Sequence, residues 1–395
     1  MTLATEPQGG RGNSNDHVRR HNLSVVLDHV HRSGGVSRAQ LTKLTGLNRS
    51  TVAALVGELV ERRLVIETEA DSHNQVGRPS PIVRPDPLAV AVSINPEIDA
   101  ITVGLVGLGG EVISRDRHVT DHTLTAAEVV ALCARVINEL RDDLDANFRT
   151  IGVGVAVPGL VRDSDGLVRL APHLEWVDEP LAEMLEEATG FSVVAANDAH
   201  LGALAESTFG AGRSLSDFLY LNGGASGIGG GIIAGGEPLS GAAGYAGEFG
   251  HTLVKSDGRD CHCGATGCLE TEVRRAPLLA LVGLTAADAD DLEGALLAAE
   301  SPEVRAEVHR QLDFLAVALR NAINTLNPQV ILLGGFLGTL YAVAPAHLDA
   351  LLATQPLRAS RENVRVERAM LGTNLLMIGA AELAFEAVLA DPTAF

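Results

Sequence analysis

Residues 247–270 read GEFGHTLVKSDGRDCHCGATGCLE. Three of the chain's four cysteines fall in this stretch, with His251, His262, Glu248 and Glu270 around them; only Cys133 lies elsewhere. A disulfide framework scatters an even set of cysteines through a small secreted chain, so this clustering points to a metal site in a reducing compartment. From His251 the successive gaps to Cys261, Cys263 and Cys268 are ten, two and five residues, and glycines stand where the loop must fold tightly round an ion. One imidazole and three thiolates fill the tetrahedral shell of Zn2+ with no open position, the pattern of a structural ion. His262 is a rival nitrogen ligand, but between two binding cysteines it needs a strained turn. Iron–sulfur ligation is disfavoured because the fourth ligand is a histidine. Such a metal loop would hold Glu248 and Glu270 in fixed relation to His251. Carboxylates so placed accept hydrogen bonds from the vicinal hydroxyls of a sugar, and otherwise serve as salt-bridge partners.

Working outward, 395 residues with 46% hydrophobic composition are enough for two or three domains. No run of 18 apolar residues occurs, and the polar first twenty residues lack the apolar core of a secretory signal. A cytoplasmic protein without membrane insertion is expected, nucleoid-associated when bound to DNA. The net charge of −20 is uneven: residues 1–85 hold 11 Lys/Arg against 8 Asp/Glu. A small basic module on an acidic body is the part suited to touch phosphate.

Residues 17–85 carry the pattern of a winged helix-turn-helix, after a disordered tail at 1–16. Leu23, Val26, Leu27 and Val30 lie at i, i+3, i+4 and i+7. SRAQLTKLTG (37–46) offers a capping box from Ser37 and Gln40 and a stop at Gly46. Asn48 then caps a second helix whose Val52, Leu55, Val56 and Leu59 form one stripe. Arg49, Ser50 and Thr51 at its start are the expected major-groove contacts. Two strand-like runs flank a polar tip, in which Arg78 of the Gly-Arg-Pro at 77–79 is expected in a minor groove. Pro79, Pro81, Pro85 and Pro87 stiffen the junction, which places a domain boundary near residue 85.

Residues 86–395 alternate strand and helix patterns in two rounds, an α/β body with a cleft between two lobes. The spacing predicts a hairpin over 88–108, one helix over 125–144 and a buried strand from Thr150. The strand FSVVAAND ends at Asn197 and Asp198, where α/β proteins carry function; Asp198 as a plain helix N-cap is the alternative. Gly334 and Gly335 end a later strand where a ligand could approach the backbone.

AGEFGH (246–251), CHCGATGCLE (261–270), GIGGG (227–231) and AANDAHLGALAE (195–206) together resemble the ROK family (repressor, open reading frame, kinase). The resemblance runs from about His17 to the C-terminus. It implies a two-lobed actin-like ATPase, or sugar-kinase, fold with its cleft near 197–270, and a zinc ion on His251, Cys261, Cys263 and Cys268. It also implies sugar binding by Asn197, Asp198, Glu248, His251 and Glu270. In the family's kinases the residue matching Asp198 is the general base. One departure stands out. At the first phosphate turn this chain reads SINPEID: Ser93 replaces an Asp, Asn95 and Pro96 replace glycines, and Glu97 replaces a Thr. Proline offers no N–H and Glu97 repels phosphate. Ala225 and Ser226 likewise stand where kinases usually show Gly and Thr. Asp198 is then a vestigial base, and no catalytic residue is expected.

The expected function is a sugar-responsive transcription regulator, a repressor of carbohydrate metabolism genes. Its expected partners are operator DNA and a hexose or related sugar effector, and its expected state is a homodimer or dimer of dimers. The alternatives are an ATP-dependent sugar kinase with a DNA-binding appendage, and a regulator controlled by a protein partner.

Overall fold

A computed structural model describes residues 15–69 and 80–395, in two compact units. The first takes the described residues up to Ala89 together with Gly107–Gly109 and Phe385–Phe395; the second takes Val90–Val106 and Gly110–Ala384. Gly107–Gly109 and Phe385–Phe395 thus return from later in the chain to the first unit.

In the first unit, α1 (Asn15–Ser33) buries Leu23, Val26, Leu27 and Val30, the stripe its periodicity requires. After β1 (Val36–Ser37), α2 (Arg38–Thr45) begins at Ser37 with both halves of the Ser37–Gln40 capping box made, and ends at Gly46 with φ 70°. Asn48 Oδ1 accepts from Thr51 N at 2.8 Å to start α3 (Arg49–Glu61), which buries Val52, Leu55, Val56 and Leu59. Strands β2 (Val65–Thr68) and β3 (Ile82–Pro85) pair antiparallel, with β1 on the other edge of β3. This is a winged helix-turn-helix. The tip with Arg78 lies outside the described residues.

Particular contacts hold the returning segments. His31 is fully buried; Gly109 N donates to its Nδ1 at 3.0 Å, and the Phe385 ring meets it edge-on at 6.1 Å. At the C-terminal end of α3, Arg62 Nη1 donates to Thr393 O at 3.2 Å and Phe395 O at 2.8 Å. Arg62 also pairs with Glu58, which meets Arg19 of α1 at 2.6 Å.

The second unit opens with β4 (Ala89–Pro96), β5 (Ala100–Gly107) and β6 (Val112–Val119). Helices α4 (Ala126–Glu139) and α5 (Arg141–Asn147) lead to β7 (Arg149–Val157). A small sheet of β8 (Leu160–Val161), β9 (Val168–Ala171) and β10 (Trp176–Glu179) follows, then α6 (Leu181–Thr189), β11 (Val193–Asn197) and α7 (Asp198–Phe209). The main sheet has the order β11-β7-β4-β5-β6, with β11 parallel to β7. Its core joins Val92, Ile94, Val153 and Val155 to Val129 and Cys133 of α4 and Leu181 and Leu185 of α6. The helix predicted over 125–144 breaks at Leu140, where φ −90° and ψ −4° leave the regular helix.

The second half repeats the plan. Strands β12 (Phe218–Gly224), β13 (Gly227–Ala234) and β14 (Glu237–Pro238) precede α8 (Leu269–Glu272), α9 (Arg275–Leu281), α10 (Leu292–Ala298) and α11 (Pro302–Leu326). Then come β15 (Val330–Gly334), α12 (Gly335–Val343), α13 (Pro345–Leu352), α14 (Arg358–Arg361), β16 (Arg365–Arg368) and α15 (Leu375–Ala390). The sheet order is β14-β13-β12-β15-β16, with β12, β15 and β16 parallel. Two five-stranded sheets of this kind make the two-lobed actin-like sugar-kinase fold. Gly334 and Gly335 are closely packed: a Cβ on Gly334 would lie 2.6 Å from the Tyr220 hydroxyl, and one on Gly335 2.1 Å from Gly223 O. The stretch Gly372–Ala390 is long and apolar enough to cross a membrane by composition, but more than half of it is buried inside the protein.

Candidate functional site

The end of β11 delivers the first polar pair. Asn197, not Asp198, is the N-cap of α7. Its Oδ1 accepts from Ala199 N at 2.9 Å and His200 N at 3.0 Å, and its Nδ2 donates to Gly159 O at 2.9 Å. One Nδ2 hydrogen is left for a ligand. Asp198 is freed from capping, and its carboxylate, accepting from Ala199 N at 2.8 Å, stands on the wall of a cleft. Burial, with the Glu248 charge adding to it, pushes the Asp198 carboxyl up to about 7.

Glycines bring the second group in. A Cβ on Gly230 of β13 would lie 2.6 Å from Gly247 O, and a Cβ on Gly247 would lie 2.5 Å from Gly230 O. A Cβ on Gly250 would meet Ile228 O at 2.0 Å. Only bare backbone allows the 246–251 loop to lie against β13, and this contact carries Glu248 and His251 to the cleft. Burial raises the Glu248 carboxyl, and Glu270 adds to the effect.

His251, Cys261, Cys263 and Cys268 present ligand atoms that all lie within 4.8 Å of one another. His251 Nδ1 is 3.6 Å from Cys261 Sγ, and Cys263 Sγ is 3.7 Å from Cys268 Sγ. A tetrahedron with Zn–S about 2.3 Å and Zn–N about 2.0 Å has edges of about 3.5–3.8 Å, so the donor set fits that ion. Burial raises the Cys261 and Cys268 thiols, and a divalent cation supplies the charge that removes their protons. His251, Cys261, His262 and Glu270 make an overlapping set, with Glu270 Oε1 3.2 Å from His262 Nδ1 and 3.1 Å from Cys261 Sγ. The softer three-thiolate set suits zinc better. With Nδ1 turned to the thiols, His251 Nε2 faces Glu248 Oε2 at 3.9 Å.

The cleft is lined by Asn197, Asp198, Glu248, His251 and Glu270 together. Leu160, Leu170 and Pro172, on and beside the β8–β10 sheet, supply an apolar wall, and His173 stands beside them with its ring 5.1 Å from that of His262. These wall residues have no motif, and sequence reasoning missed them. The β12–β13 turn adds Ser226 and Gly227.

The expected DNA contacts lie in the other unit. Arg49 and Ser50 are exposed and Thr51 half-buried at the start of α3. Ser50 Oγ donates to Asn48 Oδ1 at 2.7 Å and so shares the cap. In the SINPEID segment (93–99), the buried Ser93 Oγ donates to Met377 O at 2.6 Å, and Glu97 pairs with Arg117 at 3.1 Å.

Two family profiles match the chain: ROK family over residues 92–387 and MarR family over residues 24–74. The chain belongs to the ROK family. The xylose repressor of Bacillus subtilis strain 168 is 28% identical over 320 residues, which cover 80% of this chain and 82% of that protein. A crystal structure of a ROK family transcriptional regulator, described as a homologue of the E. coli MLC protein, aligns with TM-score 0.78 at 26% identity, covering 95% of this chain and 98% of that one. A ROK family glucokinase from Streptomyces griseus in complex with glucose and AMPPNP aligns with TM-score 0.62 at 26% identity, covering 74% and 98%.

Proposed function

We propose that this chain is a sugar-responsive DNA-binding repressor of carbohydrate metabolism genes. The observation that carries the reading is that one chain joins a winged helix-turn-helix to a cleft in which Asn197, Asp198, Glu248, His251 and Glu270 converge. The likeness to a xylose repressor and to a ROK transcriptional regulator supports it. Asp198, Glu248 and Glu270 accept hydrogen bonds from sugar hydroxyls, while Asn197 Nδ2 and His251 Nε2 donate. His251, Cys261, Cys263 and Cys268 would hold a zinc ion, which would fix the His251 ring and its tautomer. The sugar alters operator affinity by binding one arrangement of the protein more tightly than another. Arg49, Ser50, Thr51 and Arg78 meet the operator, and a homodimer reads two half-sites. The protein works in the cytoplasm, associated with the nucleoid when bound to DNA.

Because the fold is shared with kinases, the phosphate turn separates the two activities. Ser93 spends its hydroxyl on a backbone carbonyl and Pro96 has no N–H, so ATP loses its positioning at this turn. Asp198 then binds sugar without transferring a proton to chemistry. The test is a gel-shift titration of the full chain on its own promoter region with a panel of sugars, run beside a coupled ADP-release assay. Operator release by a sugar without turnover is expected. Turnover on the order of 1 s⁻¹ or faster would establish a kinase.

A further inference from the structure

The donors around the metal loop exceed what one ion can use. His251, Cys261, Cys263 and Cys268 form one tetrad, and His251, Cys261, His262 and Glu270 form another, with His251 and Cys261 common to both. An ion in the first tetrad takes the three thiolates and the His251 imidazole, which leaves His262 and Glu270 over. Glu270 Oε1 stands 3.2 Å from His262 Nδ1 and 3.1 Å from Cys261 Sγ, and His262 Nδ1 stands 3.9 Å from Cys261 Sγ. A tetrahedral zinc ion on one sulfur, one nitrogen and one oxygen has edges of about 3.3–3.6 Å between them, so these three atoms match one face of a second shell.

Charge favours a cation there. The Glu270 side chain is 9% exposed, and among the described residues its ion-pair partners are two imidazoles, with no Lys or Arg. A carboxylate so buried needs compensating charge. Asp198 and Glu248 line the same cleft, and no Lys or Arg stands among the described residues that do. Zinc with three thiolates and a neutral imidazole carries about −1, so it does not repel a second cation. A fourth ligand comes from the cleft, which His262 and Glu270 both line. Water serves, or His173, whose ring lies 5.1 Å from that of His262 and whose buried Nε2 has no hydrogen-bond partner.

We propose that Cys261, His262 and Glu270 bind a second divalent cation, zinc by their chemistry, with the Cys261 thiolate bridging the two ions. With its one thiolate shared, this is the weaker site, and it fills only when free zinc exceeds the need of the first. Its consequence rests on the cleft being the sugar site: an ion on Glu270 removes an acceptor of sugar hydroxyls, so zinc and sugar exclude each other, each weakening the other by the same factor. Excess zinc then keeps the protein in its sugar-free state.

The test counts ions on the full chain by equilibrium dialysis against buffered free zinc under reducing conditions, followed by elemental analysis. The parent should rise from one ion per chain to two, whereas His262→Ala should stop at one; His262→Gln, which keeps more of the side chain, repeats the count should alanine impair folding. Calorimetry with D-glucose, D-xylose and N-acetyl-D-glucosamine then reads the competition. At free zinc ten times the Kd of the second site, the affinity of whichever sugar binds should fall about 10-fold in the parent and less than about 2-fold in the His262 variants. A parent that stops at one ion, or a second ion kept by both His262 variants, overturns the site. A second ion that leaves sugar affinity unchanged overturns the competition. If none of the three sugars binds at any zinc level, the sugar reading falls by itself, and the ion count still decides the site.

Discussion

His251 Nε2 lies 3.9 Å from Glu248 Oε2, on the opposite side of the ring from Cys261 Sγ. The imidazole thus joins the metal set to the cleft, and disturbing the ion should reach the sugar. Cys268→Ser should drop zinc from one ion per chain to near zero by elemental analysis. Sugar affinity should fall about 10–100-fold, the usual effect of losing support behind a ligand-orienting histidine. A Cys268→Ser protein that folds, lacks zinc and binds sugar normally would refute the linkage.

Asp198 gives a pH signature. Its folded-state carboxyl is raised from 3.8 to about 7, so the native chain holds this proton more tightly than the unfolded chain does. Its contribution to stability is fully present below about pH 4 and is lost as pH rises through 7. Asp198→Asn removes the cost of ionisation. The variant's stability gain over the parent should be close to nil near pH 4 and reach on the order of 2–4 kcal/mol near pH 8, read from denaturant melts. Sugar affinity should move the other way, about 10-fold or more weaker, because a charged acceptor is lost.

Arg49 is exposed at the first turn of α3. Arg49→Ala should weaken operator binding about 10-fold while leaving sugar calorimetry unchanged. If its partner is a phosphate, the salt dependence should also lose about one unit of slope. Asn48→Ala should destabilise the first unit by about 1 kcal/mol through the lost cap.

Arg62 ties α3 to the end of the chain through Thr393 O and Phe395 O. Arg62→Ala, or truncation after Asp391, should lower the melting temperature of the DNA-binding unit and operator affinity together. The heat of sugar binding should stay the same. Unchanged operator affinity in the truncated chain would show that the C-terminal segment does not support α3.

The elements that explain themselves locally were legible in the sequence. Ser37 and Gln40 specify a capping box, and the Val52 to Leu59 stripe specifies a buried helix face, within a few residues each. The clustering of His251, Cys261, Cys263 and Cys268 was legible because thiols are scarce elsewhere. By contrast, VISRDRHV of β6 reads as polar, since as an edge strand it alternates exposed residues with half-buried ones. Asn197 and Asp198 are both good caps, and only the extended backbone at Asn197 decides between them. His173 reaches the cleft on a short turn after β9 without any periodicity to announce it. The contacts of Phe385 and Phe395 with His31 and Arg62 join opposite ends of the chain, beyond the reach of any local pattern.

The mutual approach of Gly230 and Gly247 has a consequence for how this protein can change. Each residue fills the room that a side chain on the other would need, so even alanine at either site pushes the strand and the loop apart. A mutational library selected for altered sugar preference should therefore return silence at these two positions and variety at Leu160, Leu170 and His173. New tastes would be acquired on the far wall, while the hinge of bare backbone stays untouched.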